Sequence, residues 1–218
     1  MSATVATDPG PVWVVVVAGG GGTRFGGPKQ FVRVAGRRVL DWSVDAARSV
    51  ADGIVVVLPN DDLGAQDPDV DAVVAGGSTR AESVRCGLAA VPTDAAVVLV
   101  HDAARPAASA SLFQTVVDTV ISGADGVVPG IAVTDSLRLR TGAAVDRETL
   151  VAVQTPQGFP ADVLRSAHAS GIDASDDATL VERDGGTITV VDGEVTNVKL
   201  THPDDVVLLE RALDGRDR

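Results

Sequence analysis

Between Val12 and Gln30 the chain reads VWVVVVAGGGGTRFGGPKQ. The opening run, almost purely β-branched, has the length and make-up of a strand covered on both faces. Four glycines, Gly19 to Gly22, follow at once, then Arg24, two more glycines, Pro28 and Lys29. Bare backbone after a strand leaves N–H groups exposed to wrap an anion. Arg24 and Lys29 supply counter-charge, so a polyphosphate is the ligand class implied. A Walker A loop needs Gly-Lys-Ser/Thr, whereas Lys29 lies between Pro28 and Gln30. The dinucleotide GxGxxG pattern fails as well, because Arg24 or Phe25 occupies the place of the third glycine. The next segment, QFVRVAG, has an extended pattern, which argues against a phosphate held by a helix N-terminus.

Working outward, apolar strand-like runs recur at Ile54–Leu58, Val70–Ala75, Ala96–Val100 and Gly126–Ile131. Helical periods lie between them. Val84, Leu88 and Val91 share one face behind a capping box, Thr79-Arg80-Ala81-Glu82. Leu112, Phe113, Val116, Val117, Val120 and Ile121 form a second stripe, and Val206, Leu209 and Leu213 a third with Pro203 near its first turn. Continuous apolar strands alternating with amphipathic helices predict an α/β fold, Rossmann-like, with a mostly parallel sheet between two helical layers. Ligands of such sheets bind beyond the carboxyl ends of the strands. The glycine loop, Gly76-Gly77 and His101-Asp102 all follow strand ends.

One segment breaks the alternation. Residues 134–154, TDSLRLRTGAAVDRETLVAVQ, contain two short extended stretches around Thr-Gly-Ala and no helical period. They predict a β-hairpin arm projecting from the body. A lone hairpin is barely stable in water, so it is expected to pack on something, a second copy of the chain being the candidate.

The 218 residues suit one α/β domain over 12–214, behind a tail at 1–11 expected to be disordered. A net charge of −12 argues against nucleic acid or an anionic membrane as partner. Cys86 is the only cysteine, which leaves no disulfide framework, and it is expected as a small buried residue in its helix. His101, His168 and His202 fall in no metal-ligand spacing. No apolar run approaches the ~20 residues of a membrane span, so a cytoplasmic protein is expected. Of 18 basic residues only two are lysines, Lys29 and Lys199. A chain that fills cationic positions with arginine keeps lysine where a compact ammonium is needed, as at a transferring phosphate.

The motifs AGGGGTRFGGPKQF, GGSTRAESV, HDAARP, TDSLR, VDR followed by QTPQGF, SDDATLVE and NVKLTHPDD occur in this order. Together, from about Val12 to Leu213, they resemble the 2-C-methyl-D-erythritol 4-phosphate cytidylyltransferases of the non-mevalonate isoprenoid pathway. The resemblance implies a homodimeric nucleotidyltransferase that joins CTP to methylerythritol phosphate with Mg²⁺ and releases pyrophosphate. It implies that Arg24 and Lys29 stabilise the pentacoordinate α-phosphate and that loop amides around Gly20 and Gly22 hold the other phosphates. Ala18, Gly19, Gly77, Ser78 and Ser83 match positions that read cytosine, largely through backbone groups. Asp102, with Ala103 beside it, matches the position near ribose, metal and substrate. Arg105, Thr155, Ser175 and Lys199 match acceptor-binding positions. Ser136 and Arg147, on the arm, match residues that reach the acceptor phosphate of a neighbouring subunit. Asp176 is open between capping the helix ATLVER and joining Ser175 at substrate. Arg138 and Arg140 are expected to keep the arm solvated. The chain departs from the family pattern in opening its loop with Val17-Ala18-Gly19-Gly20 instead of Pro-Ala-Ala-Gly. Ser136 and Ser175 also replace common threonines.

The nucleophile in such a reaction is a phosphate oxygen already ionised near neutral pH, so no general base is required. Catalysis then rests on charge neutralisation and in-line positioning. Two other readings share these features: a ribitol 5-phosphate cytidylyltransferase, and a domain that senses CTP without turning it over.

Overall fold

The computed structural model describes residues 10–19, 25–64 and 68–214. Gly20, Gly22 and Arg24 of the predicted loop, and positions 1–9 of the predicted tail, lie outside the described residues. The chain opens with β1 (Val12–Val17), followed by a two-residue hairpin of β2 (Arg33–Val34) and β3 (Arg37–Arg38) and by α1 (Val39–Arg48). Next come β4 (Gly53–Leu58), β5 (Ala72–Ala75), α2 (Arg80–Ala90), β6 (Val97–Asp102), α3 (Ala110–Ile121) and β7 (Gly126–Ala132). The second half comprises β8 (Leu137–Arg138), β9 (Ala144–Val145), β10 (Val151–Val153), β11 (Gln157–Pro160), α4 (Ala161–Ala169), α5 (Asp177–Arg183), β12 (Ile188–Asp192) and α6 (Asp205–Leu213).

The main sheet has eight strands in the order β10-β7-β11-β6-β1-β4-β5, with β12 also paired to β7. β1 pairs in parallel with both β4 and β6, and β4 with β5. Residues alternate between faces along β1, so two cores form on one strand. Val14 and Val16 pack with Leu40 and Val44 of α1 and with Leu112, Phe113 and Val116 of α3. Val15 packs on the opposite face with Val84 of α2, Leu164 of α4 and Val181 of α5. The predicted three-layer α/β body is therefore present. A third cluster joins Val34, Trp42, Leu200, Leu209 and Leu213, laying α6 over the β2–β3 hairpin. Gly53 permits the close approach of Trp13, whose ring would lie 2.4 Å from any added Cβ.

Two expectations are corrected. The arm does not stay apart from the body up to residue 154, because β10 pairs antiparallel with β7. Only β8 and β9 form the free hairpin, Leu137 facing Val145 and Arg138 facing Ala144. QFVRVAG is not extended throughout: Lys29–Phe31 form one 3-10 turn before β2, and Ala35 and Gly36 take positive φ to close the hairpin. The sheet also carries an antiparallel insertion, β11 between β6 and β7, that the alternating strand–helix pattern does not announce.

Candidate active site

The parallel strands β6, β1, β4 and β5 end side by side. Ala18 donates its N–H to Val57 O at 2.8 Å, Gly76 to Leu58 O at 2.8 Å and Ala103 to Val17 O at 3.0 Å. These bonds hold Ala18-Gly19, Gly76-Gly77 and Asp102-Ala103 at one edge of the sheet. Thr79 caps α2 by accepting from Glu82 N at 3.1 Å, as its capping box predicts. Ser83, buried in the first turns of α2, accepts from Gly77 N at 3.2 Å and donates to Thr79 O at 2.9 Å. A Cβ on Gly19 would sit 3.3 Å from the Ser83 hydroxyl, and one on Gly77 would lie 2.1 Å from Glu82. Ala18, Gly19, Gly77, Ser78 and Ser83 thus lie together where β1 and β5 end and α2 begins. In this state the Ser78 N–H and hydroxyl both donate to Glu82 Oε2 at 2.7 Å, a bond that holds the Glu82 carboxyl below its ordinary pKa.

Asp102, at the end of β6, is the electrostatic centre. Its Oδ2 accepts from Lys199 Nζ at 2.5 Å and its Oδ1 from Arg80 Nε at 3.3 Å. Its own N–H donates to Thr155 Oγ1 at 3.0 Å, and Thr155 Oγ1 lies 3.2 Å from His101 Nδ1. Burial alone would raise the Asp102 pKa; Arg80 and Lys199 overcome it and hold the carboxyl well below the usual range. Arg80 places Nη1 2.7 Å from Asp177 Oδ2 as well. Burial opposes the charge on Arg80, but Asp177 and Asp102 outweigh it and raise its pKa.

Arg105 donates through Nη1 to Asn197 O at 2.8 Å and through Nη2 to Val153 O at 3.2 Å. Its Nε is buried with no partner among the described residues. Burial lowers its pKa, against the pull of Asp102. Asn197 is itself fixed by Nδ2 bonds to Gln154 Oε1 at 3.2 Å and Thr155 O at 3.0 Å. This clamp, with buried Leu200 bonded to Ala104 O at 2.7 Å, sets the segment that carries Lys199. Lys29 Nζ donates at 3.0 Å to the O of Leu200, the residue that follows Lys199.

The structure does not gather every predicted residue. Ser175 is exposed ahead of α5. Asp176 is that helix's N-cap, accepting from Thr179 N at 3.1 Å. Ser136 and Arg147 lie exposed on the arm, Arg147 bonded to Thr134 O and to Glu148 Oε1, with no contact to the Asp102 group among the described residues. Arg147 instead lines an open cavity of about 550 Å³ at the arm's root, with Thr134, Val151 and Val190. Arg138 is exposed and donates to Gly142 O at 2.8 Å. Cys86 sits half-buried in α2. Among the described residues no three His, Cys, Asp or Glu side chains form a metal cage, and no helix is long and apolar enough to cross a membrane.

Residues 12–214 match the family model of 2-C-methyl-D-erythritol 4-phosphate cytidylyltransferase, IspD. The chain belongs to this family. It is 41% identical over 225 residues to the 2-C-methyl-D-erythritol 4-phosphate cytidylyltransferase of Nocardia farcinica, covering 97% of each. It is also 41% identical over 228 residues to the bifunctional enzyme IspD/IspF of Nitratidesulfovibrio vulgaris, covering 91% of this chain and 57% of that one. The chain therefore spans a little over half the length of the bifunctional relatives. The cytidylyltransferase structure from Thermus thermophilus superposes with a TM-score of 0.79 at 39% identity, covering 93% of this chain and 98% of the other. Bifunctional IspDF from Campylobacter jejuni gives 0.81 at 29% identity, covering 91% and 54%.

Proposed function

We propose that the chain transfers the cytidylyl group of CTP to 2-C-methyl-D-erythritol 4-phosphate, giving 4-diphosphocytidyl-2-C-methyl-D-erythritol and pyrophosphate. The observation that carries this reading is the cationic cluster around Asp102, where Lys199 and Arg80 meet its carboxylate and Lys29 bonds to Leu200 beside Lys199. Two anions must meet in this reaction, and fixed cations at the strand ends lower that barrier without reorganising. The glycine loop, with Arg24 and Lys29, neutralises the α-phosphate as charge develops there. The slot of Ala18, Gly19, Gly77, Ser78 and Ser83 excludes purines by size and reads the pyrimidine edge. Lys199 and Arg105 hold the acceptor, with Thr155 fixing Asp102 between them; Ser175 borders the acceptor side.

Asp102 fits a divalent ion that takes one protein carboxylate and completes its shell with phosphate oxygens and water, the habit of Mg²⁺. Held by Asp102, Mg²⁺ would supply positive charge to offset that of the reacting phosphates. In the same reading the chain acts in the cytoplasm as a homodimer, with Ser136 and Arg147 of the arm completing the neighbour's site. Exposed Leu139, Leu150, Val151 and Val153 provide the apolar surface for that contact.

The test is pyrophosphate release from CTP and Mg²⁺ with methylerythritol phosphate or ribitol 5-phosphate as acceptor. Turnover with the former only supports the proposal. A preference for ribitol 5-phosphate would replace the acceptor, and CTP binding without turnover would leave a sensing domain.

A further inference from the structure

Asp177 is completely buried, and His168 beside it nearly so. Its Oδ2 accepts from Arg80 Nη1 at 2.7 Å, and its Oδ1 from His168 Nε2 at 3.0 Å. Arg80 uses a different edge of its guanidinium, Nε, for Asp102. A continuous series therefore runs from His168 of α4 through Asp177 of α5 and Arg80 of α2 to Asp102 at the tip of β6. Stability is a poor reason for such a series. Charges taken out of water lose about as much solvation as their pairing returns, and hydrophobic replacements of buried ion pairs are often neutral or stabilising. Its geometry has a clearer consequence. The two cations on Asp102 are held very differently: the Arg80 side chain is 24% exposed and gripped by the 1%-exposed Asp177, while that of Lys199 is 41% exposed.

We infer that Asp177 and His168 are positioning residues that lock Arg80 onto one oxygen of Asp102, so that only the Lys199 side of that carboxylate exchanges partners when substrates arrive. The inference rests on the cytidylyl-transfer reading for the role of Asp102. Arg80 bridges two carboxylates that would otherwise repel, so its charge is shared. Without the Asp177 charge, Arg80 is free to turn and pair with both oxygens of Asp102, competing with phosphate-bound cation and acceptor alike. A lysine at position 80 would lack the planar fork that reaches two anions on two edges.

The test is a double-mutant cycle with Asp177→Asn and Asp102→Asn in the full chain. It reads kcat and KM for both substrates by pyrophosphate release, and the CTP dissociation constant by calorimetry with and without Mg²⁺. Asp177→Asn is expected to lower kcat/KM about tenfold in the otherwise unchanged chain and less than twofold in the Asp102→Asn background, since residues sharing one salt-bridge network couple. Equal losses in both backgrounds, or no loss in either, would overturn the inference. If Asp177→Asn does not fold, His168→Gln and His168→Leu replace it. The glutamine amide still donates to Asp177 and should retain activity that the leucine loses; equal activity of the two would overturn the inference. A wild-type chain that releases no pyrophosphate would instead refute the underlying reading, and the calorimetric cycle would still report whether Asp177 acts through Asp102.

Discussion

Lys199 Nζ and Asp102 Oδ2, 97 residues apart in sequence, stand 2.5 Å from one another at the carboxyl end of β6. Arg80 shares Asp102 with Lys199, and Lys199 is the more exposed of the Lys199–Asp102 pair. Lys199→Gln removes the charge while keeping a donor. It is expected to raise the KM for the acceptor by about tenfold or more, the usual scale for losing one member of a charge-assisted pair. CTP affinity should change far less. An unchanged acceptor KM would place the acceptor elsewhere.

Lys29 donates to Leu200 O at 3.0 Å, within reach of the same cluster. If its charge acts chiefly on the transition state, Lys29→Ala lowers kcat by about a hundredfold or more with little effect on CTP binding. Equal losses in rate and affinity would mean uniform phosphate binding instead.

His101 connects the site to acid stability. It is fully buried, 4.9 Å from the Phe113 ring, and burial is the main cause that pulls its pKa down to about 4. The charges of Arg105 and Lys199 act in the same direction; Asp102 and a hydrogen bond with the Arg105 backbone act against it. The unfolded chain takes up a proton near pH 6.5 that the folded chain refuses until about 4. Stability is therefore full above pH 6.5 and declines as pH falls toward 4, by about 3 kcal/mol in all. Below that window Asp102 and Asp177, whose pKa values are held low, add their own loss as pH falls. Urea midpoints measured from pH 7 to 4 should slope for the wild type and much less for His101→Gln. Identical slopes would remove His101 as the cause.

The arm offers a separate test, because Arg147 has no contact with its own chain's Asp102 group among the described residues. Arg147→Ala and Lys29→Ala chains, each nearly inactive, are mixed under conditions of proven subunit exchange. A site shared between subunits restores part of the activity, since one of the two sites in a heterodimer is then intact. No recovery would assign Arg147 to its own chain's site.

Much of this arrangement can be read from short-range pattern. The β1 run, the Thr79 capping box and the Asp176 cap are local, and each appears where its residues indicate. The convergence of Gly19, Gly77 and Asp102 follows from parallel strands ending together. What escaped is long-range. Arg80 reads in sequence as a plain first-turn helix residue, and only the fold brings it to Asp102, 22 residues away, and Asp177, 97 away. His168 and Asn197 likewise gain their meaning from partners on other elements. The arm's return through β10 was hidden because Val151–Val153 alternate with no polar face, leaving nothing to distinguish a free hairpin strand from a sheet edge.

The central claim is attack by the acceptor's phosphate on the α-phosphate of CTP. It is tested most directly by supplying methylerythritol phosphate whose phosphate carries ¹⁸O, then locating the label by ³¹P NMR and mass spectrometry. The account predicts that all label is retained in the cytidyl diphosphate product and none enters the released pyrophosphate. Label in pyrophosphate or in inorganic phosphate would contradict it.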